Sequence, residues 1–128
     1  MTISPVLPKL VGARVKRLED PRLIQGRATY VDDLKIPSMC HLVFKRSDVA
    51  HGRISSIDIN AAKNINGVEA VYTGAQIAKF LKPMPNVMPW PAPPHHAVAI
   101  DVVRYVGEPV AVVVASDRYI ARDAADAI

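Results

Sequence analysis

The chain has 128 residues, half of them hydrophobic and 22% charged, which gives one domain with enough apolar surface for a packed core and excludes disorder of the whole. Its formal net charge is +4, an excess carried before residue 30, where Lys9, Arg14, Lys16, Arg17, Arg22 and Arg27 face only Glu19 and Asp20. Cys40 is the single cysteine, which excludes an internal disulfide and a thiolate metal cluster.

Residues 1–36 read as an extended arm. Pro5, Pro8 and Pro21 forbid a long helix, because each lacks a backbone donor and restrains its predecessor. Gly26 and Asp32-Asp33 mark turns, and spaced apolar residues such as Val15, Leu18, Ile24 and Leu34 give the arm anchors. Its basic excess suits a nucleic acid or an acidic protein surface, but a solvated or subunit-facing tail is preferred, since no aromatic residues interleave the charges and the remainder of the chain is balanced. The first thirteen residues lack a signal-peptide core, and the longest apolar run, Val110 to Ala115, is too short to span a bilayer, so a cytoplasmic location without membrane contact is expected.

Residues 39–46 alternate as a strand, with Cys40, Leu42 and Phe44 on one face and His41, Val43 and Lys45 on the other. After a loop at 48–52, a second strand is expected over 53–59. Asn60 then caps a short helix that ends at Asn66-Gly67. Residues 68–72 form a third strand. Thr73 and Gln76 have capping-box spacing, and Tyr72 and Ile77 are placed as a hydrophobic staple, so a helix is expected until Pro83 stops it.

Six prolines crowd residues 83–94. A ligand for a proline-binding module is one reading; a rigid insertion loop is preferred. Short strands are expected at 97–100 and 102–105, a turn at Gly107-Glu108-Pro109, and a strand buried on both faces at 110–115. Asp117 caps a last helix in which Ile120, Ala124 and Ile128 recur at helical spacing. No stop signal precedes Ile128, which is read as a pattern continuing into a longer protein; a short helix that happens to end there is the alternative.

Reactive constellations are not evident. His41 and Cys40 are adjacent in a strand and point to opposite faces. His51 has only Asp48 nearby, and His95-His96 follow the proline loop without an interpretable spacing. Ser55-Ser56 fall inside an expected strand with no base at a usable distance, while Glu19-Asp20 and Asp32-Asp33 suit turn hydrogen bonds better than an acid/base pair. Cys40 has no activating neighbour and is read as a core residue. No catalytic, cofactor-binding or metal-binding residue is therefore assigned.

Four segments taken together carry a resemblance: R-V-K-R-L-E-D-P-R-L-I-Q-G-R-A-T-Y-V-D-D from Arg14, F-K-R-S-D-V-A-H-G-R-I-S-S-I-D from Phe44, G-V-E-A-V-Y-T-G from Gly67, and V-R-Y-V-G-E-P-V-A-V-V-V-A from Val103. In this order they resemble the N-terminal part of large subunits in the carbon monoxide dehydrogenase, aldehyde oxidase and xanthine dehydrogenase family. The resemblance implies an α+β fold, the α/β-hammerhead: a small mixed sheet with two or three short helices over 37–128, behind the arm at 1–36. It also implies a parent molybdenum hydroxylase that uses molybdopterin, with iron–sulfur clusters and FAD in partner subunits or domains. The family's catalytic glutamate and pterin-cradling motifs lie downstream, so none is carried over here. Glu108, inside the matched V-G-E-P turn, is expected to hold free backbone donors. The expected role is packing against the catalytic domains and partner subunits through an exposed apolar patch; a free-standing module that assembles with a separate catalytic chain is the alternative.

Overall fold

The computed structural model describes residues 12–87 and 89–128. The prolines and lysine expected to shape the first eleven residues lie outside that set. The backbone divides between Ile36 and Pro37 into two compact units.

In the first unit, Glu19 and Asp20 lead into a short helix, α1 (Asp20–Ile24). The arm is thus less extended than the prolines imply. Pro21 sits in the first turn, where its missing N–H has no partner to lose. Arg22 pairs with Glu19 at 3.2 Å, and Gly26 leaves the helix at φ 68°. The Asp32-Asp33 turn is a single 3-10 turn over Val31–Asp33, closed by the Tyr30 N–H donating to Asp33 Oδ2 at 3.0 Å.

The second unit is built on β1 (His41–Arg46), β3 (Val68–Thr73) and β5 (Pro109–Ala115), in the order β1-β5-β3. Both pairings are antiparallel. Pro109 takes the first place in its strand, where a residue without an N–H is tolerated, and the register of β1 shifts opposite it. A two-stranded sheet joins β2 (Gly52–Arg53) to β4 (Val102–Val103).

One face of the larger sheet is covered by α4 (Arg118–Asp126), with α2 (Asn60–Lys63) beside it. The buried faces carry small residues: Ala121, Ala124 and Ala125 on α4, Ala62 on α2, and Val71, Val113 and Ala115 from the strands. Ile120 and Ile128 flank this cluster rather than form it. Small side chains let the helix lie close to the sheet, so close packing matters more here than bulk. Asp117 caps α4 as the sequence indicates, its Oδ1 accepting the Tyr119 N–H at 2.7 Å. Asp117→Ala is expected to lower stability by about 1 kcal/mol in a denaturation curve.

Several elements are shorter than periodicity implies. Residues 54–59 leave strand geometry after Arg53, although the Ile54 N–H still reaches Asp101 O at 2.8 Å. Ser55 and Ser56 consequently lie in an irregular, exposed stretch. The cap position of α2 is Ile59, which has no side-chain cap bond; Asn60 is itself the first helical residue, and its N–H donates to Asp58 Oδ1 at 2.9 Å. Residues 97–100 are not a strand, and one bond from the Ala99 N–H to Pro109 O ties them to β5. Helix α3 spans only Gly74–Ile77, then loosens into turns whose N–H groups at Phe80 and Leu81 return to Ile77 O. The Gln76 arm of its capping box is formed, with the Thr73 N–H donating to Oε1 at 2.9 Å.

Candidate functional site

Strand β1 alternates as expected, and the alternation decides what the domain shows outward. Val43 turns toward the core, while Leu42 and Phe44 stand on the opposite face, 55% and 38% exposed. Cys40, on that same side one pleat earlier, is exposed rather than a core residue. The physical reason is that α4 covers only the His41/Val43/Lys45 side, so the face with the larger apolar side chains stays open.

The central strand extends this face. Ala111, Val113 and Ala115 point to α4, and Val112 and Val114 point the other way. Tyr72 from β3 borders them. Ile77, Phe80 and Leu81 from α3 and the turn after it form the opposite wall, with Val98 on the floor. Together they enclose a groove of about 460 Å³ lined almost wholly by carbon. The anticipated staple pair, Tyr72 and Ile77, belongs to this lining. Phe80 is 81% exposed, a high value for an aromatic ring.

Arg46 marks one end of β1. Its guanidinium stands 5.5 Å from the Phe44 ring centre and donates to Gly107 O at 2.8 Å. That carbonyl belongs to the Gly107-Glu108 turn. The Glu108 side chain is buried and accepts the Arg104 N–H, the backbone role expected from the sequence. The turn is also tied to β1: the Gly107 N–H donates to Ser47 O at 2.7 Å, and the Ser47 N–H donates to Glu108 O at 2.9 Å.

The other residues weighed from sequence are dispersed. His41 pairs with Ala115 in the ladder, and His51 is exposed in its loop. His95 accepts the Met84 N–H through its carbonyl at 2.8 Å, closing the base of the proline loop, and His96 is half-buried beyond it. Among the described residues no group of three or more His, Cys, Asp and Glu side chains is placed to hold a metal ion. Among the same residues no helix is long and apolar enough to cross a membrane.

Sequence reasoning placed Leu42 and Phe44 on one face but could not say which face the helix would cover. The available signal was the apolar character of β5 on both sides. It missed Gly74 altogether. A Cβ there would lie 1.9 Å from Ala99 O, so α3 begins against the backbone that follows the proline loop.

A family model described as aldehyde oxidase and xanthine dehydrogenase, a/b hammerhead domain, matches residues 25–128. Among curated proteins, the nicotine 6-hydroxylase large subunit of Paenarthrobacter nicotinovorans is 39% identical over 127 residues, covering 97% of this chain and 16% of its own length. The carbon monoxide dehydrogenase large chain of Afipia carboxidovorans is 45% identical over 120 residues, covering 92% of this chain and 14% of its own. Among solved structures, quinoline 2-oxidoreductase from Pseudomonas putida 86 superposes with a TM-score of 0.77 at 43% identity, covering 88% of this chain and 15% of that one. The chain therefore spans about a sixth of the length of the relatives it matches.

Proposed function

The chain belongs to the aldehyde oxidase and xanthine dehydrogenase a/b hammerhead domain family, and from that premise we propose that it is the packing part of a molybdenum hydroxylase large chain, not catalytic by itself. The observation that carries the proposal is the open sheet face: one side of β1 and β5 is covered by α4, and the other presents Leu42 and Phe44, with Val114, in an exposed apolar groove. Apolar surface of this kind is characteristic of an interface. In this reading residues 1–36 are the arm and 37–128 the hammerhead. The catalytic domains of the same large chain are the immediate neighbours, with iron–sulfur and flavin subunits beyond them in a cytoplasmic oxidoreductase.

The groove does not fit a pterin and its phosphate. Its walls offer almost only carbon, where a phosphate needs convergent N–H groups or cations. No chemical step is assigned to this chain through that group. The test is turnover. The purified 128-residue chain, given carbon monoxide, an aldehyde or an N-heterocycle with an electron-accepting dye, is expected to show none. Turnover accompanied by stoichiometric molybdenum or pterin would overturn the proposal.

A further inference from the structure

We propose that the outer edge of β1 takes an extended acidic segment of a separate polypeptide as a fourth strand. This surface is distinct from the open face that carries the packing role, and the two stand or fall separately.

β1 is the last strand of its sheet. It pairs with β5 on one side, and among the described residues no strand pairs with the other. An antiparallel strand with one partner leaves alternate N–H and C=O groups pointing outward, where an incoming strand can satisfy them. A cleft of about 380 Å³ lies along that edge. Its lining runs through five consecutive residues, Leu42 to Arg46, takes no residue of β5, and is completed by Arg122, Ala125 and Asp126 of α4. Consecutive residues of a strand point to opposite faces, so a cleft that touches all five follows the edge and not either face. Strand and helix therefore form two walls of a trough for an extended chain.

The charge of the trough selects the occupant. Lys45, Arg46 and Arg122 stand against one carboxylate, Asp126. The Arg122–Asp126 pair, at 3.5 Å, has side chains 71% and 67% exposed, so it holds Arg122 only weakly. An arriving carboxylate on the α4 side would meet Lys45 and Arg122. On the other side the incoming side chains would fall beside Leu42 and Phe44, which stand on the open face. The fitting segment thus alternates acidic and apolar residues. A second copy fits less well: β1 has Lys45 and Arg46 and no carboxylate, so pairing two copies sets basic strands side by side. The same charges keep the uncovered edge from pairing at random, as a surface that receives a separate chain requires.

Titration of the 128-residue chain with blocked six-residue peptides, the length of β1, tests this. One peptide alternates Val and Glu, a second alternates Val and Lys, and a third is the acidic peptide N-methylated throughout its backbone. The acidic peptide is expected to bind, to slow exchange about tenfold at the β1 amides that β5 leaves free, and to lose affinity as salt is added. The other two are expected to bind about tenfold more weakly or less. Arg122→Glu is expected to weaken binding of the acidic peptide about tenfold at a nearly unchanged melting temperature, and Lys45→Glu added to it to reverse the preference toward the lysine peptide. No binding of the acidic peptide at about 1 mM, equal binding of all three, or protection on the open face in place of β1 would overturn the proposal. Protection of the β1 amides that rises with the concentration of the free chain would also overturn it, since that marks a second copy. So would protection in a large chain prepared without partner subunits, which marks an occupant from the same polypeptide.

Discussion

Gly74→Ala is expected to destabilise the 128-residue chain by about 3 kcal/mol, read as a fall in the urea midpoint at unchanged slope. The added Cβ would meet Ala99 O at 1.9 Å and Ala99 C at 2.6 Å. Both are backbone atoms, so no side chain can rotate away. Relief requires moving α3 away from residues 98–99, and Val98 and Ala99 are both buried at 2% exposure. The same residues are fastened to β5 through the Ala99 N–H bond to Pro109 O at 2.8 Å, so the strain reaches the central strand. Gly52→Ala is the comparison. Its Cβ would find Val49 Cγ2 at 3.6 Å and Val103 Cγ2 at 3.9 Å, ordinary contacts, and its expected cost is within about 1 kcal/mol. Equal effects at the two positions would show that close approach at Gly74 is not what the fold requires.

Glu108→Ala is expected to lower stability by about 2 kcal/mol and to speed amide exchange at Arg104. Glu108 is only 4% exposed, and its carboxylate accepts the Arg104 N–H. Removing it leaves a part-buried donor without a partner, which is costlier than the mean value of the bond itself. The disturbance should extend to the end of β1, because Ser47, the residue after it, exchanges backbone bonds with Gly107 and Glu108. Glu108→Gln keeps an acceptor of the same shape and is expected to cost about half as much. If exchange at Arg104 is unmoved in both variants, the carboxylate is not what holds that turn.

The sequence was most legible where a local rule was strong and uncontested. Asp117 capping α4, the Gln76 bond to Thr73, the turn carboxylate at Glu108 and the β5 strand all follow from short-range chemistry. It was least legible where tertiary contacts override local preference. Ile57 and Ile59 alternate around Asp58, yet the stretch 54–59 leaves the ladder after the Ile54 N–H bond to Asp101 O, because β4, which pairs with Gly52 and Arg53, is two residues long. Asn60 is a good cap by type, but it is already the first helical residue, one place past the cap position at Ile59. Cys40 illustrates the general limit: alternation assigns a residue to a face, and only the placement of α4 decides which face is inside. The open groove was readable as an expectation of apolar surface, not as a set of positions.

The strand order has a consequence for how the domain comes into being. Strands β1 and β3 are not neighbours in the sheet; each is paired with β5, which is made after both. His41 must therefore wait for Ala115 before its ladder can close. During synthesis the earlier two strands emerge with exposed edges and no mate, and the sheet forms in one late event. A ribosome that stalls before Pro109 would release a product without the three-stranded sheet, a form that quality-control proteases should clear first.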